Sequence, residues 1–72
     1  MDIVSTGQIA INLKSYRKKA GFSQDGLARA ARIPYSTYIK IEHGTTPNPS
    51  IQAVLSIAEA LDISIDSLIG RK

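Results

Sequence analysis

Apolar residues recur along the chain at spacings of three and four, which is the pattern of amphipathic helices. The first stripe predicts a helix over residues 7–20, ended by Gly21, and consists of Ile9, Leu13, Tyr16 and Ala20. Apolar and polar residues do not alternate strictly over more than a few positions, so strands are not expected. The pattern therefore predicts an all-α fold.

The second and third helices are predicted by their start and stop signals. Ser23 is a suitable N-cap for a helix over residues 23–31. Pro34 suits the entry to a helix over residues 35–43, which Gly44 would end. The residues expected to face the core in these two helices are Leu27, Ala28, Ala31, Tyr38 and Ile41.

Two further helices are predicted towards the end of the chain. Asn48 followed by Pro49 is the clearest start signal and predicts a helix over residues 48–61. Ser64 is the expected cap of a short helix over residues 64–69. The apolar residues assigned to the inner face of the fourth helix are Ile51, Val54, Ile57, Ala58 and Leu61, and the fifth helix carries Ile65, Leu68 and Ile69.

The chain has 72 residues, which suits a single domain over residues 1–72 but leaves little room for both a core and a catalytic pocket. It has no cysteine and one histidine, His43, so disulfides, thiol catalysis and a metal site are not expected. The carboxylates are scattered, and no catalytic constellation is visible. We therefore expect neither enzyme activity nor a cofactor.

Two features of the sequence bear on its cellular location. No uninterrupted apolar stretch approaches the roughly 20 residues of a membrane-spanning helix. The first four residues carry no basic segment ahead of an apolar run, as a secretory signal would. The expectation is a cytoplasmic protein without a membrane partner.

The net charge of +3 is distributed unevenly. Residues 12–40 hold seven basic residues and one acidic residue, whereas residues 41–70 hold four acidic residues and no Lys or Arg. Such a division favours one surface built for an anion, most often a phosphate backbone. From composition alone, an unevenly charged but merely solvated surface is an equally good interpretation.

Five segments identify a family when they are taken together. They are LKSYRKKAGFSQ at residues 13–24, LAR at 27–29, YIKIEHG at 38–44, NPSI at 48–51 and AEALDISIDSL at 58–68. In this order and spacing, over about residues 7–69, the chain resembles the lambda-repressor-like, XRE-type helix-turn-helix family.

The resemblance implies a compact five-helix domain whose second and third helices form the helix-turn-helix. The third helix would lie in the major groove and the second would cross the DNA backbone. The family consists mostly of homodimeric transcriptional regulators, usually repressors, that bind palindromic double-stranded operators. A phage or mobile-element repressor, a restriction controller and an antitoxin all fit, and the sequence does not choose among them.

The third helix carries the residues that the resemblance assigns to base edges. Tyr35, Ser36 and Lys40 match these positions, and Lys40 could reach guanine acceptors. Ile39 is also expected to face outward, where it would touch thymine methyl groups or pack against the second helix. For Tyr35, Ser36 and Lys40 the competing interpretation is that they are ordinary solvent-facing residues, and we favour DNA contact for these three.

Phosphate contacts are implied at the two ends of the helix-turn-helix. Gln24 matches a glutamine that binds a phosphate and braces the recognition helix, and Ser23 combines capping with an anion site. The full set of expected phosphate contacts is Ser23, Gln24, Thr37, His43, Thr45 and Thr46. For His43 and the two threonines that follow it, a solvated loop is about as good an interpretation.

The resemblance also implies a structural ion pair and departs from the family pattern at three positions. Arg17 and Glu42 match a buried salt bridge between the first and third helices, with phosphate binding by Arg17 as the less favoured alternative. Arg32 stands where the family usually has Gly at positive φ. Pro34 replaces the usual hydroxyl cap, and Asn12 replaces an Arg that often contacts phosphate.

Three apolar residues of the acidic half predict a symmetric dimer interface away from the DNA. They are Leu55, Ile65 and Ile69. The alternative is that all three complete the core of the monomer. A second reading of the whole chain is a protein-interaction module that keeps the fold without binding DNA, and it is motivated by Arg32, Pro34 and Ile39.

Overall fold

The computed structural model describes residues 6–45 and 49–70, and all of its regular structure in those ranges is helical. The five helices are α1 (Thr6–Ala20), α2 (Gln24–Ala31), α3 (Tyr35–His43), α4 (Ile51–Ala60) and α5 (Ile65–Ile69). The predicted all-α, five-helix fold is confirmed.

The helices enclose one hydrophobic core. Helix α1 packs against α3 and α5, α2 packs against α3 and α4, and α4 packs against α5. The largest apolar side chains at the centre are fully buried and are Leu13, Leu27, Tyr38, Ile57 and Leu68. Every helix contributes to this core, so the position of α3 depends on the packing of α1 and α2 behind it.

Most of the predicted inner-face residues are buried, and the end of α1 is an exception. Ile9 and Leu13 lie in the core and Tyr16 is half-buried against it. Ala20 is exposed, contrary to the prediction, because it is the last residue of α1 and lies beyond the core. Gly21 then adopts a φ of +81°, and the N–H of Phe22 donates to the carbonyl of Arg17 at 3.1 Å.

Arg32 forms the turn between α2 and α3 in the left-handed conformation, with a φ of +60°. Its N–H donates to the carbonyl of Arg29 at 3.0 Å, and the next N–H, of Ile33, donates to that of Ala28 at 3.1 Å. The turn therefore has the backbone path that usually takes Gly, and the Arg Cβ costs about 1 kcal/mol or more there. Pro34 precedes α3 without a side-chain cap.

The predicted start of α4 is wrong. The helix begins at Ile51, and its N-cap is Ser50, whose hydroxyl accepts from the N–H of Ala53 at 3.1 Å. Pro49 precedes this cap, and Asn48 lies outside the described residues. Because Ile51 is the first helical residue, it turns away from the core and is 72% exposed.

Helix α5 closes against the first helix through a side chain that the sequence did not single out for this role. Ser64 caps α5 by accepting from the N–H of Ser67, as predicted. The amide of Asn12 donates to the carbonyl of Leu68 at 3.0 Å. Asn12 therefore ties α1 to the end of α5, where the resemblance suggested a position related to phosphate binding.

The described part of the chain contains neither a helix that could span a membrane nor a cluster of side chains that could hold a metal ion. None of the helices there is long and apolar enough to cross a membrane. No cluster of three or more His, Asp or Glu side chains in those residues could hold a metal ion.

Candidate nucleic-acid interface

Helix α3 turns one continuous polar face to solvent. Ser36, Lys40 and His43 follow one another at spacings of four and three, and all three are exposed. Tyr35 lies beside them at the start of the helix and is 48% exposed. The opposite face is apolar and buried, so α3 is held from behind and presents hydroxyl, ammonium and imidazole groups outward.

The two remaining candidates on α3 lie on its flanks. Ile39 is half-buried and packs against the core, which corrects the expectation that it faces outward. Its burial reflects the close packing of α3 against α2. Thr37 is exposed and lines an open groove between the α2–α3 turn and α4, together with Arg32 and Ser50.

A buried carboxylate anchors α3 to the two helices before it. Oε1 of Glu42 accepts from Nε of Arg17 at 2.7 Å and from the hydroxyl of Tyr38 at 2.5 Å. Oε2 accepts from Nε2 of Gln24 at 2.7 Å, with Nη2 of Arg17 at 3.5 Å. We call these four residues the Glu42 network.

Burial and hydrogen bonding act in opposite directions on the pKa of Glu42. Glu42 is 1% exposed, and burial raises the pKa of a carboxyl group. Hydrogen bonds from Gln24, Tyr38 and Arg17 more than offset this, so the pKa of Glu42 is lowered from its usual value. The pKa of Arg17 is raised, mainly by its hydrogen bond to Glu42. The carboxylate therefore stays ionised and paired.

The implied ion pair between Arg17 and Glu42 is present in this network. Arg17 also donates from Nη1 to the carbonyl of Phe22 at 2.9 Å, which links α1 to the short loop before α2. Its side chain is 13% exposed. All three donor groups of Arg17 are therefore engaged within the domain, which disfavours phosphate binding as its main role.

The start of α2 carries two of the candidate phosphate ligands, Ser23 and Gln24. The hydroxyl of Ser23 accepts from the N–H of Gly26 at 2.9 Å, so it acts as the predicted N-cap. Gln24 is the first helical residue and is half-buried. Its hydrogen bond to Glu42 connects the start of α2 with the end of α3.

The candidate phosphate contacts after α3 lie at the edge of the described chain. His43 is the exposed last residue of the helix. Thr45 is exposed, and its N–H and hydroxyl both approach the carbonyl of Lys40, at 3.0 and 3.3 Å. Thr46 lies outside the described residues.

The basic residues that surround this region are mostly free of strong pairing. Lys14 and Lys18 on α1 are exposed, and Nζ of Lys19 lies 5.7 Å from the centre of the Tyr16 ring. Arg29 forms an ion pair with Asp25 at 3.1 Å, but both side chains are exposed. Such an exposed pair contributes little to stability.

The apolar residues considered for a dimer interface differ in exposure. Leu55 is 45% exposed on α4, one turn beyond the exposed Ile51. Ile65 and Ile69 are half-buried and pack against the core of their own domain. Leu55 is therefore the accessible member of the three.

Sequence reasoning missed the hydroxyl of Tyr38 and the amide of Asn12. Tyr38 and Glu42 are four residues apart on one helix, and this spacing was the available signal for their contact. Tyr38 was assigned to the core by its apolar ring alone. Nothing in the sequence indicated that the amide of Asn12 would reach a backbone carbonyl 56 positions away.

A sequence model of the helix-turn-helix family matches residues 13–68. The HTH-type transcriptional regulator SinR of Bacillus licheniformis is 36% identical over 64 residues, or 89% of this chain. This chain spans 58% of the length of that relative.

Two solved structures share the arrangement of helices. The crystal structure of the biofilm master regulator SinR in complex with DNA has a TM-score of 0.78 and 37% identity, and it covers 83% of this chain and 95% of its own. The restriction-modification controller protein C.AhdI from Aeromonas hydrophila has a TM-score of 0.82 and 30% identity, covering 88% of this chain and 94% of its own.

Proposed function

This chain belongs to the XRE-type helix-turn-helix family, and on that premise we propose that it is a sequence-specific, double-stranded DNA-binding transcriptional regulator. Helix α3 would enter the major groove while α2 crosses the DNA backbone. The observation that carries the proposal is the outward face of Ser36, Lys40 and His43 on a helix anchored from behind by Glu42. The similarity to a regulator solved in complex with DNA supports it.

The proposed base contacts lie along the exposed side of α3, the helix that would read the major groove. Lys40 donates to the guanine acceptors N7 and O6, and Ser36 donates to or accepts from a neighbouring base. Tyr35 contributes its hydroxyl to a phosphate or its ring to a thymine methyl group. Since Ile39 is half-buried, we assign it to packing with at most a peripheral apolar contact to DNA.

The proposed phosphate contacts position the helix without reading sequence. Ser23 and Gln24 lie at the N-terminus of α2, where backbone N–H groups and the helix dipole favour an anion. The further proposed phosphate contacts are Thr37, His43, Thr45 and Thr46, of which Thr46 lies outside the described residues. The exposed lysines of α1 add long-range attraction.

We further propose that the protein acts in the cytoplasm as a homodimeric repressor on a palindromic operator. Leu55 is exposed on the acidic half, one turn beyond the exposed Ile51, and this apolar surface of α4 supports a second copy there. The similarity to a restriction-modification controller supports an autoregulatory role as one context among those that the family offers.

Selection from random duplex DNA followed by sequencing tests the proposal. We expect the retained fragments to share a palindromic site. Lys40→Ala and Ser36→Ala should each lower affinity for that site by about 1–3 kcal/mol and relax the preference at the base that each contacts. Binding would be quantified by fluorescence anisotropy.

Lys14→Ala is the matched control, because it removes one exposed positive charge from α1 and leaves α3 intact. It should weaken binding to all sequences slightly and equally. Failure of the wild-type protein to retain any duplex at low salt would refute DNA binding. Equal losses for Lys14→Ala and Lys40→Ala would refute the assignment of Lys40 to a base.

The alternative of a protein-interaction module without DNA binding loses much of its motivation. Arg32 adopts the left-handed turn that the fold requires, and α3 begins directly after Pro34. Ile39 is half-buried and packs against the core. The fold therefore accommodates the three residues that motivated the alternative, and Ser36, Lys40 and His43 remain exposed on α3.

A further inference from the structure

Tyr38 is a member of the Glu42 network that, like Arg17 and Glu42, has no direct contact in the proposed DNA interface. Its side chain is 0% exposed, on the face of α3 opposite to Ser36 and Lys40. A phenylalanine would fill the same apolar space, so the core does not require a hydroxyl there. The hydroxyl instead donates to Oε1 of Glu42, one turn further along the same helix.

We propose that Tyr38 is a positioning residue for DNA binding. Its hydroxyl holds one oxygen of Glu42 so that the other oxygen orients the carboxamide of Gln24 toward a DNA phosphate. The inference rests on the proposed function, because it assigns a means by which the domain prepares one of its phosphate ligands.

The two oxygens of Glu42 have different partners. Oε1 receives two strong donors, Nε of Arg17 at 2.7 Å and the hydroxyl of Tyr38 at 2.5 Å. Oε2 receives Nε2 of Gln24 at 2.7 Å, whereas its contact with Arg17 is long, at 3.5 Å. Arg17 and Tyr38 therefore set the orientation of the carboxylate plane. That orientation fixes the position of Oε2, which in turn positions Nε2 of Gln24.

This contact determines which end of the Gln24 carboxamide faces the protein. An ionised carboxylate only accepts hydrogen bonds, so Gln24 must turn its nitrogen toward Glu42. Nε2 carries two hydrogens, and one of them satisfies Glu42. The second can be donated to a phosphate at the N-terminus of α2, where the helix dipole also favours an anion.

A ligand held in its bound conformation loses less conformational entropy when DNA arrives. In Tyr38→Phe, Oε1 keeps Arg17 but loses its other short hydrogen bond, so the orientation of the carboxylate is less firmly fixed. Gln24 then keeps the two hydrogens of Nε2, but its carboxamide no longer has a fixed orientation. The effect on DNA affinity must therefore disappear when Gln24 itself is absent.

A double-mutant cycle on the selected duplex tests this dependence. Affinities are measured for the wild type, Tyr38→Phe, Gln24→Ala and the double variant, at a temperature where circular dichroism shows all four to be folded. We expect Tyr38→Phe to weaken binding about threefold to tenfold, the range of one hydrogen bond. In the Gln24→Ala background, the same change should alter affinity less than about twofold.

Tyr16→Phe is the control for removal of a tyrosine hydroxyl elsewhere on the same domain, since Tyr16 is half-buried on α1 and outside the network. It should bind as the wild type does. Equal losses from Tyr38→Phe in both backgrounds would show that Tyr38 acts only through general stability and would overturn the proposal. So would an unchanged affinity in the Gln24-containing protein.

A measurement on the wild-type protein covers the case in which Tyr38→Phe does not fold. In the free protein, NMR should show one Nε2 hydrogen of Gln24 protected from exchange, and DNA should shift the resonance of the other. Equal, unprotected hydrogens, or no shift with DNA, would overturn the proposal. Absence of any DNA binding by the wild type would instead refute the proposed function, so the two failures are distinguishable.

Discussion

At the scale of single residues, the feature that organises the domain is one buried charge, the carboxylate of Glu42. Glu42 accepts hydrogen bonds from Arg17 on α1, Gln24 on α2 and Tyr38 on its own helix. Every buried side-chain nitrogen and oxygen among the described residues has a hydrogen-bond partner. A satisfied buried carboxylate of this kind specifies one orientation of α3 and becomes costly when a partner is removed.

The first prediction concerns the contribution of this carboxylate to stability. Because the pKa of Glu42 is lowered in the folded state, its contribution is fully present above the ordinary pKa of 4.5 and is lost as the pH falls through the folded-state value. Glu42→Gln leaves the Arg17 guanidinium without its counter-ion and should lower the free energy of unfolding at pH 7 by about 3–5 kcal/mol.

Urea denaturation of both proteins between neutral and acidic pH measures this effect. The gap between wild type and Glu42→Gln should narrow as the pH falls. Asp25→Asn, which removes a carboxylate from an exposed pair, should cost at most about 1 kcal/mol at any pH. A constant gap across the pH range would contradict the assignment to Glu42.

At the scale of elements, the sequence predicted helix interiors better than helix ends. The bounds of α3 match the prediction, because Gly44 and Pro34 are unambiguous stop and entry signals. The start of α4 does not match, because Ser50 competes with Asn48 as a cap and both obey the same local chemistry. Local sequence signals are therefore compatible with more than one N-cap. We attribute the choice of Ser50 to the packing of α4 against α2 and α5.

Part of the candidate site follows from the local sequence pattern, and the rest depends on how the helices pack. Spacing alone placed Ser36 and Lys40 on one face of α3. The contacts of Gln24 and Tyr38 with Glu42 depend on how α2 and α3 cross, which no local pattern determines. The resemblance supplied the Arg17–Glu42 pair but did not supply the contact of the Tyr38 hydroxyl with Glu42.

The turn between α2 and α3 gives the second prediction. Arg32 has a φ of +60°, so Arg32→Gly should relieve the strain of its Cβ and raise the free energy of unfolding by about 0.5–1 kcal/mol. The corresponding rise in Tm is about 3–6 °C and is measurable by differential scanning calorimetry. Arg32→Ala removes the same charge but keeps the Cβ, so it should give no gain. Equal stabilisation by both variants would assign the effect to charge.

At the scale of the whole molecule, the dimensions suit a pair of domains on one face of DNA. The domain measures 34 × 21 × 18 Å. Two recognition helices that read successive major grooves lie about 34 Å apart, so two such domains side by side can touch. The basic residues lie in the half of the chain that holds the helix-turn-helix, and Leu55 lies in the acidic half.

The third prediction concerns this pairing. Leu55→Glu places a charge at the proposed interface and should weaken dimerisation at least about tenfold, as judged by sedimentation equilibrium. Ala20→Glu adds the same charge to an exposed position on a different helix, α1, and should leave the association unchanged. A wild-type protein that stays monomeric at every concentration, or equal effects of the two variants, would refute Leu55 as the interface.

We infer that the basic half of this domain is a phosphate-binding surface. Measuring the affinity for duplex DNA over a series of salt concentrations tests this inference directly. We predict that the logarithm of the association constant falls linearly with the logarithm of salt, with a slope of about −0.9 for each phosphate neutralised. Several contacts per domain give a steep slope, which Lys14→Ala should reduce. Affinity that does not vary with salt, or no binding even at low salt, would contradict the claim.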